Sequence, residues 1–181
     1  MRKFLFGLSC LVLFTACDNS AGKEGIANNA DSAAATPKQA EFADAKYAEQ
    51  AKVAMAKFET GDVEGWLADY ADNAVFLWSN GDSLAGKTAI VDYWTNRRKN
   101  AIDSIDFSND IWLPIKVNTP QRGPDMPGIW LLSWQQVDVK YKTGKKLTFW
   151  VHTDFHYNEA DKIDRAIQYI DFAPIKAANA K

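Results

Sequence analysis

Residues 61–78 read GDVEGWLADYADNAVFLW, and the reading of this stretch decides the fold. Gly61 ends the helix before it, because a glycine just past the last turn takes the left-handed conformation at little cost. Asp62 stands where it can cap a second helix, with Val63, Trp66, Leu67 and Tyr70 on one face. The Asp72-Asn73 pair breaks that helix, and residues 74–78, AVFLW, form a short apolar strand ending on Trp78. A helix that runs almost directly into a strand lays its apolar face on the sheet that the strand joins.

Upstream, residues 41–59 carry Phe42, Ala45, Ala48, Val53, Met55, Ala56 and Phe58 among Lys and Glu, with no Gly or Pro. That composition predicts one long helix. Downstream, Asn80-Gly81-Asp82 is a turn. Residues 86–98 make a third helix with Ile90, Val91, Tyr93 and Trp94 apolar, and Arg97-Arg98-Lys99 suits the negative end of its dipole. Residues 105–117 are a strand of mixed pattern with a bend expected at Pro114. Residues 119–128 hold three prolines and two glycines and read as an irregular loop. Residues 129–141 and 146–157 are strands around Lys142-Thr143-Gly144-Lys145, 158–162 is a turn, and 163–172 is a last strand. Helix, helix, strand, helix and then an antiparallel meander is α+β: a curved antiparallel sheet around a long N-terminal helix with two shorter ones.

The N-terminus has a different character. Arg2 and Lys3 precede an eleven-residue apolar run, residues 4–14, and then Thr15-Ala16-Cys17. The run is too short to span a bilayer and has the form of a secretory signal. Its ending resembles the lipobox of bacterial lipoproteins, which implies cleavage before Cys17 and lipidation there. The expected location is exported and lipid-anchored, in the cell membrane or the outer membrane. Residues 18–40 are rich in Ala, Asn, Ser, Gly and Lys, with Ile26 their one large apolar side chain, and read as a flexible tether. The folded domain is expected over residues 41–175, with 176–181 a tail. Cys10 falls within the signal segment and Cys17 would carry lipid, so no disulfide is expected.

Charge excludes further classes. The whole chain carries −2 from 21 basic and 23 acidic residues, and without Arg2 and Lys3 it lies near −4. No basic block is long enough to track a phosphate backbone, so no nucleic-acid partner is expected. A mildly acidic body does not suit anionic lipid, so membrane contact is expected through the anchor alone. Seven Trp, six Tyr and ten Phe provide enough large side chains to wall a pocket.

Three segments together resemble the nuclear transport factor 2-like superfamily, in its SnoaL-like and ketosteroid-isomerase-like branch. They are KFETGDVEGWLADYADNAV at 57–75, the helix start GKTAI at 86–90 and FHYNEADKIDRAIQYID at 155–171. The resemblance implies a cone-shaped sheet wrapped around the long helix, a pocket at its wide end, and frequent dimers through the outer sheet face. It also implies where catalytic groups would fall. The isomerase base maps onto Trp78, its tyrosine onto Ala54 and its sheet acid onto Thr153. The epoxide-hydrolase set maps onto Val151, Thr153 and Gln168, and the SnoaL acid or base onto Gln168. None of these side chains can do the corresponding chemistry.

Sheet parity sharpens the pocket. A two-residue turn at Thr143-Gly144 would set 134, 136 and 138 opposite 153, 151 and 149. Trp134, Gln136 and Asp138 would then face inward with Val151 and Thr153, and Gln168 would join them from the last strand. Trp78 would come from the first strand, and Tyr70 and Trp94 from the helices. Trp150, His152, Asp154 and His156 would face outward. His152 and His156 lie about 13 Å apart along a strand, poorly placed as co-ligands, and neither metal nor cofactor is expected. The sequence therefore reads as a binding module for a small, largely apolar ligand rather than an enzyme. An enzyme of unrecognised lyase, isomerase or hydrolase type and an interaction module using the outer sheet face remain as alternatives.

Overall fold

The computed structural model describes residues 38–123 and 125–180. The signal segment, Cys17 and the tether up to residue 37 lie outside the described residues. The elements run β1 (Ala40–Phe42), α1 (Lys46–Thr60), α2 (Val63–Trp66), β2 (Tyr70–Trp78), β3 (Ser83–Ala85) and α3 (Lys87–Asn100). Then follow β4 (Ile102–Val117), β5 (Gly128–Tyr141), β6 (Lys146–Tyr157), β7 (Ile163–Tyr169) and α4 (Phe172–Asn179). The seven strands form one sheet in the order β1-β4-β5-β6-β7-β2-β3. The result is the expected α+β architecture: a curved, unclosed sheet with α1 and α3 on its concave face. Most pairings are antiparallel, but β2 lies parallel to β7, with Phe76 beside Ala166 and Trp78 beside Gln168.

The opening stretch behaves largely as its chemistry dictates. Gly61 adopts φ 94° and donates its N–H to the Phe58 carbonyl at 3.0 Å, closing α1. Asp62 accepts the Gly65 N–H at 2.8 Å and caps α2. A Cβ at Gly65 would lie 2.0 Å from Asp62 Oδ2, so this cap requires glycine. The second helix is shorter than its apolar spacing suggested: α2 is a single turn, and Tyr70 already begins β2. An irregularity between Tyr70 and Val75 takes up the Asp72-Asn73 pair inside the strand.

The first helix also starts later than residue 41. Asp44 accepts the Lys46 N–H at 2.8 Å, and α1 begins there. Residues 40–42 pair with the end of β4 instead, and Phe42 is 80% exposed. The bend expected at Pro114 sits elsewhere: the β4–β5 register slips between Ser108 and Ile111, where Asn109 takes φ 51°. At the far end, α4 carries the packed body into the segment expected as a tail. Ile175 and Ala178 are buried, and the Thr143 hydroxyl and Lys145 ammonium each donate at 2.7 Å to carbonyls of its last turn, Ala178 and Ala177.

The β5–β6 hairpin corrects the expected sheet parity. Tyr141 donates its N–H to the Lys145 carbonyl and Gly144 donates to Tyr141, both at 2.8 Å, with Gly144 at φ 86°. The loop therefore has three residues, Lys142-Thr143-Gly144, the form in which a left-handed glycine closes a tight turn. One extra residue shifts every pairing. Trp134 stands opposite His152, Gln136 opposite Trp150 and Asp138 opposite Thr148. All three thus lie on the convex face, and Ser133, Gln135, Val137 and Val139 take the concave one.

Inside the cone, aromatic rings gather around Trp94. Its ring centroid lies 5.2–5.8 Å from those of Tyr93, Trp66, Phe58 and Phe76, and 6.4 Å from Trp78. Arg98 ties three elements together at the edge of this cluster. Its guanidinium donates to the Glu59 carbonyl at 3.0 Å, to Ile102 at 3.3 Å and to Phe58 at 3.4 Å, linking the end of α1 to the start of β4.

Candidate functional site

A cavity of ≈ 70 Å³ lies between the helices and the concave sheet face. At roughly 10–15 Å³ per water it has room for a handful of waters, far below the roughly 300 Å³ of a drug-sized pocket. Met55 and Phe58 of α1, Trp66 of α2 and Trp94 of α3 form one side. Val137, Phe149, Val151 and Phe155 form the opposite, sheet side, and Ile175 of α4 closes in from the C-terminus.

Polar groups sit toward two ends. One is an amide and hydroxyl cluster of Gln135, Thr153 and Gln168. The Trp78 indole N–H donates to Gln168 Oε1 at 3.0 Å, and Gln168 Nε2 donates to the Thr153 hydroxyl at 3.4 Å, which fixes the orientation of that amide. Gln135 is 3% exposed and makes no side-chain hydrogen bond among the described residues, so its amide is free for a cavity occupant. The other end holds Arg97 and Tyr141. Burial pushes the Tyr141 hydroxyl above its ordinary pKa, and the neighbouring Arg97 pulls it back.

The residues expected to form the pocket divide into groups. Trp94, Val151, Thr153 and Gln168 line the cavity. Trp78 stands behind it and acts through Gln168. Tyr70 borders a separate depression of ≈ 20 Å³ with Trp66, Trp112 and Tyr157. Its hydroxyl is buried without a partner among the described residues, and burial raises its pKa far above the usual tyrosine value. Trp134, Gln136 and Asp138 are not in the pocket. Trp134 stacks on His152 at 4.4 Å, Gln136 accepts the Asn109 amide at 2.6 Å, and Asp138 accepts the Thr148 hydroxyl. Gln135, Arg97 and Tyr141 replace them. The glycine at the third position of the hairpin loop was the available signal for Gln135 and Tyr141. Arg97 follows Ile90 and Trp94 on one helical face, although its charge marked it as a helix-end residue.

The convex face carries a cross-strand row of Ile111, Trp134, His152 and Tyr169. Trp150 lies beside it and is 53% exposed. The two histidines have different partners. His152 Nδ1 meets the Ser133 carbonyl at 2.8 Å, and its Nε2 lies 2.9 Å from Asp154 without hydrogen-bond alignment. His156 bridges Asp164 at 2.6 Å and the Pro127 carbonyl at 3.1 Å. Burial raises the Asp154 carboxyl above its ordinary value, with His152 opposing the shift.

The architecture has counterparts among solved structures. An NTF2-like protein of unknown function from Burkholderia pseudomallei superposes with a TM-score of 0.59 at 11% identity, covering 74% of this chain and 97% of that one. A polyketide cyclase, so described provisionally, from Pseudomonas putida gives 0.57 at 14% identity, covering 73% and 96%. A protein described in the same provisional way as an isomerase, from Bacillus subtilis, gives 0.54 at 20% identity, covering 72% and 92%. No family model matches the chain, and no curated protein matches it significantly in sequence. The chain therefore has the nuclear transport factor 2-like fold. At these identities the likeness establishes the fold alone.

Proposed function

We propose that this chain is a cell-envelope binding protein, lipid-anchored through Cys17, whose cone cavity holds a small and largely apolar ligand. The observation that carries the reading is the cavity itself: aromatic and aliphatic walls with an unpartnered amide, Gln135, facing the space. Walls of this kind supply burial of apolar surface, and a few fixed polar groups supply orientation. The side chains at the positions where related enzymes keep their acids and bases, Trp78, Thr153 and Gln168, hydrogen-bond to one another instead, which favours holding over proton transfer.

A thermal-shift panel of small aromatic and short aliphatic compounds tests the binding. Occupants of the cavity should raise the melting temperature with concentration, as any ligand selective for the native state does. Val151→Trp, which fills the cavity, should abolish those shifts. A panel without a shift at millimolar concentration overturns the reading. The anchor has its own test in the full chain. Cys17→Ser should move the protein from the membrane fraction to the soluble envelope fraction, and unchanged fractionation would refute lipidation at that residue.

A further inference from the structure

Arg97 is the one charged side chain lining the cavity among the described residues. It sits one turn after Trp94 on the face of α3 that carries Ile90, and all three point toward the sheet. Its sequence neighbour has a different role. Arg98 spends its guanidinium on the carbonyls of Phe58, Glu59, Ile102 and Asp103. Arg97 has no carboxylate within 4.0 Å among the described residues, and no Asp or Glu lines the cavity with it. A half-buried guanidinium against apolar walls without a counter-ion is costly, and that cost falls when an anion meets it. The Tyr141 hydroxyl stands beside it as a second donor, itself nearly fully buried. A planar fork of N–H groups next to a phenol O–H matches the two oxygens of a carboxylate.

We infer that the ligand is an organic acid: an apolar body lying against Trp94, Phe149 and Val139, with its carboxylate held by Arg97 and Tyr141. This rests on the ligand-binding reading above and narrows it from apolar molecules in general to small monoanionic ones. The cavity is small, so the body is no larger than a single ring or a short alkyl chain. The remaining polar cluster lies six residues along β5, at Gln135, which is about 20 Å at the usual rise per residue. An acid of this size held at Arg97 therefore does not reach it.

The test compares molecules that differ only in charge. Binding of 3-phenylpropionate and 3-phenylpropanamide, and of hexanoate and hexanamide, is measured by titration calorimetry on the wild-type protein at pH 7. Each acid should bind at least tenfold more tightly than its amide. In Arg97→Gln that preference should vanish, and Arg97→Lys should restore part of it. Equal binding of acid and amide by the wild type, or an acid preference that survives in a folded Arg97→Gln, overturns the inference and leaves ligand binding intact. Binding of none of the four compounds overturns the inference together with the reading on which it rests. The wild-type comparison decides the matter even where a variant fails to fold.

Discussion

Trp94→Ala should lower the unfolding free energy by about 3–5 kcal/mol, the usual cost of deleting a large buried aromatic. The indole is 9% exposed and touches the rings of Phe58, Trp66, Phe76, Trp78 and Tyr93. Several of these pairs are edge-to-face, and such pairs add roughly 0.5–1.5 kcal/mol each beyond area burial. The neighbours are held by four different elements, so they cannot close on the vacated space, and the void would merge with the existing cavity. For a domain stabilised by about 5–15 kcal/mol the loss is a large fraction of the total. Urea denaturation measures it: with a slope of roughly 1–3 kcal/mol/M, the midpoint should fall by a molar or more. A loss below about 1 kcal/mol would mean that the aromatic cluster is not the stabilising centre of the fold.

Arg98→Met should cost about 2–4 kcal/mol while preserving the length and apolar character of the stem. The guanidinium serves carbonyls at the end of α1 and the start of β4, and bonds to a charged donor contribute about 1.5–3 kcal/mol each when well formed. Two of the three exceed 3.2 Å, which holds the total below the roughly 4.5 kcal/mol that three well-formed bonds would give. The positive charge also complements the negative end of α1. Arg97→Gln, one residue away, removes an unpaired charge rather than a bonded one and should cost no more than about 0.5 kcal/mol. Urea melts of the two variants side by side check this division of labour. Equal losses would refute it.

Local chemistry made much of this architecture readable. Gly61, Asp62 and the apolar strand to Trp78 announce themselves because caps and glycine conformations act within a few residues. The parity of β6 was legible for a different reason: Phe149, Val151 and Phe155 alternate with Thr148, His152, Asp154 and His156, Trp150 being the one exception, so one face is plainly the core. The alternation in β5 is ambiguous. Trp130, Leu132 and Trp134 compete with Leu131, Val137 and Val139, so the register there depends on loop length alone. Reading two loop residues instead of three moved Trp134, Gln136 and Asp138 into a pocket that Gln135 and Tyr141 actually line. Arg97 was hidden because a cation in a last turn is explained equally well by the helix dipole. Which of two adjacent arginines turns inward depends on tertiary packing.

The parallel partnership of β2 with β7 has a kinetic consequence. Trp78 meets Gln168 across 90 residues of chain, and the concave wall is incomplete until that meeting occurs. Closing so long a loop costs entropy before any contact rewards it, which places folding in the slow, milliseconds-to-seconds range of β-rich topologies. During synthesis Trp66, Phe76 and Trp78 emerge long before the strand that covers them. The nascent chain therefore presents an unburied aromatic surface, the kind of surface that chaperones hold.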